Sequence, residues 1–157
     1  ILRDITLNND SNEETLAQAC SEAMQQKDNC SHAFDIAVVD AGPGCAQLSM
    51  IVREDMINGH GTCHGGIIFT LADTAFAHAC NSRNHISVAV SCQIEFLVPV
   101  SLGETLTATA VEQHLKGRNG VYDVTVDLPD GTRAALFRGK SRAVGGTLID
   151  SLTIEKS

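Results

Sequence analysis

Tryptophan is absent from this chain of 157 residues, tyrosine occurs once, and aromatic residues make up only 4%. A platform on which nucleobases stack needs several such rings, so single-stranded nucleic acid is not an expected partner. Positive charge is scarce as well. Eleven Lys and Arg stand against 19 Asp and Glu, a net charge of −8, and the cations form no run. Phosphate backbones are bound by clustered cations, so nucleic acid in general is not expected. The six cysteines (Cys20, Cys30, Cys45, Cys63, Cys80, Cys92) include no CxxC pair. Without a signal-peptide pattern, reduced thiols and a cytoplasmic setting are the expectation. No apolar run reaches the ~18 residues of a membrane span, so no membrane partner is expected. Repeats and linker-like stretches are also missing. What remains has 43% hydrophobic and 19% charged residues, the composition of one soluble globular domain with a real core.

The most informative stretch runs from His64 to Asn81, HGGIIFTLADTAFAHACN. Apolar residues occur on every side at helical spacing, the pattern of a largely buried helix about 25 Å long. Its one formal charge is Asp73. A buried carboxylate is costly unless something compensates, so Asp73 is the first place to look for chemistry. It can serve as general base or nucleophile, or be a structural carboxylate tied down by backbone or Thr hydroxyls. Gly65 and Gly66 open the helix, where the first amides lack intrahelical acceptors and the helix dipole is positive. Glycine there lets a ligand approach the backbone, which suits a developing oxyanion; the alternative is relief of crowding at the helix entry. Eight residues separate Gly65 from Asp73, about 12 Å along the axis. One carbonyl cannot lie ~3 Å from both, so if both serve one site, two chains must contribute.

Around this helix the chain divides into an N-terminal segment, 1–32, a main domain, 33–148, and a tail, 149–157. A loose polar start is expected before Ser11, which with Glu14 offers a capping box. The helix that follows places Leu16, Cys20, Ala23 and Met24 on one face and ends near Lys27. Phe34, Ile36 and Val38 alternate, as do Ala46, Leu48, Met50 and Val52, across a Gly42-Pro43-Gly44 turn. Four more β-rich segments come after the central helix: 86–98, 104–113, 121–128 and 133–143. Turns at 117–120 and 129–131 join the last three as hairpins. Strands segregated from helices in this way predict an α+β domain, an antiparallel sheet curled around one apolar helix.

His60, Cys63 and His64 crowd together but lack partner ligands or an HExxH pattern, so no metal is expected. Gly139-Lys140-Ser141 is not a phosphate loop: position 134 is Ala and no helix follows. Arg138, Lys140 and Arg142 share one strand face, with Arg118 at a nearby turn. They suit the phosphates of a ligand, or equally a charged edge strand protected against aggregation.

The central stretch, preceded by Asn58-Gly59-His60, resembles the signature of hotdog-fold acyl-CoA thioesterases of the phenylacetate-degradation (PaaI) type. The likeness continues through IEFLVPV (94–100), GETLTATA (103–110), GVYDVTV (120–126) and ALFRGKS (135–141). The resemblance implies hydrolysis of aryl-acetyl thioesters to free acid and CoA, with no cofactor beyond the CoA of the substrate. It implies catalysis by Asp73 and the Gly65 amide, with Asn58 and His64 positioning the acyl group, and Gly66 and Thr74 beside them as substrate contacts. It further implies antiparallel central helices in a homodimer with shared sites, assembled into a homotetramer. Two alternatives stay open: a hotdog hydratase or dehydratase, and a non-catalytic acyl-CoA binding module. The hydratases are expected to have a proline-rich helix entry, where this chain has His-Gly-Gly.

Overall fold

The computed structural model describes the backbone of residues 2–150, and side chains from Ser11 onward. The predicted tail lies mostly outside these residues. The apolar stretch forms helix α3, Gly65–Cys80, capped by His64 and Asn81. Asn81 ends the helix and starts the next strand at once. Its side-chain amide donates to the Ala77 and Ser87 carbonyls while its oxygen accepts the Ser87 amide.

Six antiparallel strands wrap this helix: β1 (Ala37–Gly42), β2 (Cys45–Ile51), β3 (Ser87–Phe96), β4 (Thr105–Lys116), β5 (Asn119–Asp127) and β6 (Arg133–Ala143). Their order across the sheet is β1-β2-β4-β5-β6-β3. The alternation read at Ala46, Leu48 and Met50 is the buried side of β2. Against it and its neighbours pack Leu71, Ala72, Ala75, Phe76 and Ala79 of α3. A Cβ at Gly139 of β6 would lie 2.9 Å from the Phe76 ring, so a glycine is what admits that ring to the sheet. Register shifts in four strand pairs, such as Glu112/His114, bend the sheet around the helix. The predicted α+β hotdog architecture is thus the observed one. With β6 lying between β5 and β3, its cations are not on an edge strand.

The N-terminal region departs from expectation in three ways. Helix α1 runs over Leu2–Lys27, so neither a loose start nor a cap at Ser11 is present. A helix already running supplies upstream carbonyls to the amides that a capping side chain would otherwise satisfy. The buried stripe is Ala17, Cys20 and Ser21, with Leu16, Ala23 and Met24 half-buried. Small residues permit the close approach of α1 to α3, where Ser21 Oγ lies 2.7 Å from His78 Nδ1. A short helix α2, Asn29–Ala33, follows, and Phe34 and Ile36 of the alternating run precede the first strand. Asp28 caps it by accepting the Cys30 and Ser31 amides, so β1 begins only at Ala37.

Candidate active site

Every amide at the opening of α3 has a traceable destination except one. The His64 amide donates to the Met56 carbonyl, and Ile67 and Ile68 both donate to the His64 carbonyl. The Gly66 amide donates to His64 Nδ1 at 2.9 Å, which places the proton of the neutral ring on Nε2. Only the Gly65 amide has no hydrogen-bond partner among the described residues. The sequence offers both glycines as oxyanion donors; the structure leaves Gly65 alone for that task. Directly over it lies Phe96, whose ring would be 3.0 Å from a Cβ at position 65. A cavity of ≈330 Å³ opens beside Gly65, lined by Thr62, Ile68, Phe96, Val98 and Val100. A larger groove of ≈440 Å³ between α1 and β1 is lined by residues such as Gln18, Glu22, Gln25, Val38, Val39 and Asp40, and does not include Gly65 or Asp73.

Asn58 organises the loop before the helix. Its Oδ1 accepts the amides of His60, at 2.9 Å, and Thr62, at 3.2 Å, while Nδ2 faces Thr62 Oγ1 at 3.3 Å. Asn58, Thr62, His64 and Gly65 therefore belong to one rigid corner. His60 is exposed, and Cys63 is turned inward with burial pushing its thiol up to about 11. No three His, Cys, Asp or Glu side chains gather as metal ligands among the described residues.

Asp73 lies two turns further along α3. It is half-buried in the single chain, not enclosed as the sequence suggests. The reason is that Gly66, Phe69, Thr70, Asp73, Ala77 and Cys80 form one helical stripe that the sheet does not fully cover. Burial raises the Asp73 carboxyl above its ordinary range, and a contact with the Cys92 thiol, 3.8 Å from Oδ1, pulls the other way. The Thr hydroxyls do not tie it down: Thr70 donates to the Gly66 carbonyl and Thr74 to that of Thr70. Thr74 is 9% exposed and points into the core side of the helix, apart from Asp73. Cys92 and Phe96 are the residues the sequence reading missed. Their signal was the alternation Cys92, Ile94, Phe96, opposite Gly139, Phe137 and Ala135 on the helix-facing side of the sheet.

The cations sort by partner. Arg138 is held by Asp123 through two contacts of 2.6 and 2.7 Å. Lys140 and Arg142 project beside it, and the Arg118 carbonyl accepts the Ala143 amide, which brings the turn to the end of β6.

A glycine amide at a helix opening beside an apolar bay, and a carboxylate two turns away, are groups of the kind that acyl transfer uses. The comparisons agree with that chemistry. Residues 60–135 match the model of the thioesterase superfamily. Acyl-coenzyme A thioesterase PaaI of Escherichia coli is 46% identical over 128 residues, covering 82% of this chain and 91% of that protein. The solved structure of E. coli PaaI, from the phenylacetic acid degradation operon, superposes with a TM-score of 0.84 at 45% identity, over 85% of this chain and 97% of that one. A Streptococcus mutans protein solved bound to acetyl CoA gives a TM-score of 0.69 at 26% identity, over 71% of this chain and 90% of its own. This chain belongs to the thioesterase superfamily, among the hotdog-fold acyl-CoA thioesterases of the PaaI type.

Proposed function

We propose that this protein hydrolyses aryl-acetyl thioesters of coenzyme A, of the phenylacetyl or hydroxyphenylacetyl kind, to the free acid and CoA. The observation that carries the reading is the single unpartnered amide of Gly65, set at the positive end of α3 beside an apolar bay. In the reaction, the thioester oxygen takes the Gly65 N–H as charge develops on it. The Asp73 carboxylate either removes a proton from the attacking water or attacks the carbonyl itself, and the CoA thiolate leaves. Asn58 and His64 hold the corner that presents Gly65 and position the acyl group. The kinship with PaaI supports the aryl-acetyl choice, and the apolar bay beside Gly65 offers room for an acyl group.

The active unit in this proposal is a homodimer, itself paired into a tetramer. Three features support the dimer. The open side of α3 is the stripe bearing Asp73. Strand β3 is an uncovered sheet edge with exposed Val88, Val90 and Phe96, while α1 packs against the other edge, β1. Gly65 and Asp73 of one helix are about 12 Å apart, so an antiparallel partner helix is needed to bring one of each together. The basic corner of Arg118, Lys140 and Arg142 lies where β6 meets the start of β3, near the C-terminal end of α3. Lys140 and Arg142 face outward from the sheet, so CoA phosphates would meet this corner around the sheet's rim; Arg138, paired to Asp123, is the weakest contributor. A cytoplasmic setting is part of this proposal, in keeping with the free thiols of the six cysteines.

Thiol release measured across phenylacetyl-, hydroxyphenylacetyl-, short- and long-chain acyl-CoA tests the reading. Preferential release from the aryl-acetyl thioesters is expected. Hydration of crotonyl-CoA without thiol release would point to a hydratase, and binding of every thioester without release to a non-catalytic module.

A further inference from the structure

We propose that Cys92 is a positioning residue for Asp73, its S–H donating to Oδ1 so that Oδ2 is the oxygen presented to the water or thioester. The inference rests on the thioesterase reading of Asp73. Cys92 lies on the helix-facing side of β3, opposite Gly139, and its sulfur is 3.8 Å from Asp73 Oδ1, a contact distance suited to sulfur's larger radius. It is the one side-chain hydrogen bond that Asp73 makes among the described residues. The neighbouring Thr70 and Thr74 hydroxyls, which could have competed, are spent on helix carbonyls.

A thiol in this place can act in one direction only. Burial first, and then the Asp73 charge, push the Cys92 thiol up to about 11. Cys80, the other titratable group near Asp73 and on the same helix, is pushed up to about 12, again chiefly by burial. Both stay protonated at working pH, so Cys92 is a donor and not a nucleophile. A thiol is also a weak donor. It orients the carboxylate without stabilising its charge so far that basicity is lost, whereas a strong donor would lower both its proton affinity and its nucleophilicity.

The test compares Cys92→Ala and Cys92→Val, which lack a donor, with Cys92→Ser, which keeps one. The carboxyl of Asp73 is followed by ¹³C NMR titration, assigned with Asp73→Asn, and kcat and KM are measured against pH. Loss of a donor to the charged form raises the Asp73 pKa, so in Ala and Val the acidic limb of the rate profile should move upward by about half a unit to one unit. Turnover should fall about three- to tenfold, the scale of one modest hydrogen bond, with KM within about twofold of wild type. Cys92→Ser should restore both the limb and kcat. An unmoved Asp73 titration in Ala and Val, or a Ser variant that behaves like them, overturns the proposal and leaves Cys92 as packing. The NMR titration needs no turnover. It therefore separates failure of this inference from failure of the thioesterase reading, which absence of thiol release in the wild type would signal.

Discussion

At the scale of single residues, the hydrogen-bond pattern leaves the groups that the proposed mechanism uses unspent. His64 uses its Nδ1 and its carbonyl to absorb three of the amides at the start of α3, and so isolates the Gly65 amide. Asp73 keeps at least one oxygen open because the hydroxyls near it are engaged elsewhere. Replacing Asp73 by Asn preserves size and removes the charge. Hydrolysis should then fall by at least about 10²-fold, the scale of losing a general base, while circular dichroism and oligomer size stay as in wild type. Near-normal turnover in that variant would remove Asp73 from the mechanism. The raised Asp73 pKa adds a direction: if the carboxylate acts as proposed, activity should decline on the acid side from a pH above the ordinary range of an Asp.

Between elements, the joint most sensitive to pH is the one that holds α1 on α3. His78 is 2% exposed, its Nδ1 meets Ser21 Oγ, and its Nε2 has no partner. Burial, only partly offset by the Asp28 charge, pushes the ring down from 6.5 to about 4. The unfolded chain therefore binds a proton there that the folded chain refuses. Stability from this group is complete above about pH 6.5 and is lost progressively as pH falls toward about 4. The loss should reach about 2 kcal/mol by pH 5. Thermal melts of wild type and His78→Gln between pH 7 and 5 check this. The wild type should lose more stability than the variant over that interval, and equal losses would show that His78 does not control the joint. Acidic groups elsewhere, such as Asp123 beside Arg138, titrate in both proteins and cancel in the comparison.

For the whole molecule, the proposed homodimer would use the open stripe of α3 and the edge formed by β3. If the site is shared, two inactive homodimers should complement each other. One is Asp73→Ala. The other is Gly65→Val, whose side chain would strike the Phe96 ring and fill the oxyanion position. After dissociation and reassembly, a heterodimer has one site with both lesions and one with neither. Activity should return to about half of wild type per heterodimer, as closed two-fold symmetry requires. Native mass spectrometry must show that subunits exchanged. Full exchange with activity still at the parental level would place Gly65 and Asp73 of one chain in separate or unrelated roles.

Much of this was legible in the order of residues. The long apolar helix was, because apolar side chains at helical spacing on every side favour burial away from water. The strands were, because alternation such as Ala46, Leu48, Met50 assigns one face to the core. Gly65 and Asp73 stood out as a glycine and a charge where an ordinary helix would have neither. Helix α1 was misjudged at Ser11, since a capping residue is only a local preference and an upstream turn overrides it. Other matters depended on groups far apart in the chain. The sheet order places β6 inside and β3 at the edge, and hydrogen bonds between distant strands decide that. Cys92 meets Asp73, Phe96 covers Gly65, and Arg138 is neutralised by Asp123 only after β3, β5 and β6 have closed around the helix. Local pattern determined which residues could do chemistry, because periodicity and backbone freedom are properties of neighbours. Tertiary structure decided which of them were left free to do it, because a hydrogen-bond partner is chosen by distance in space.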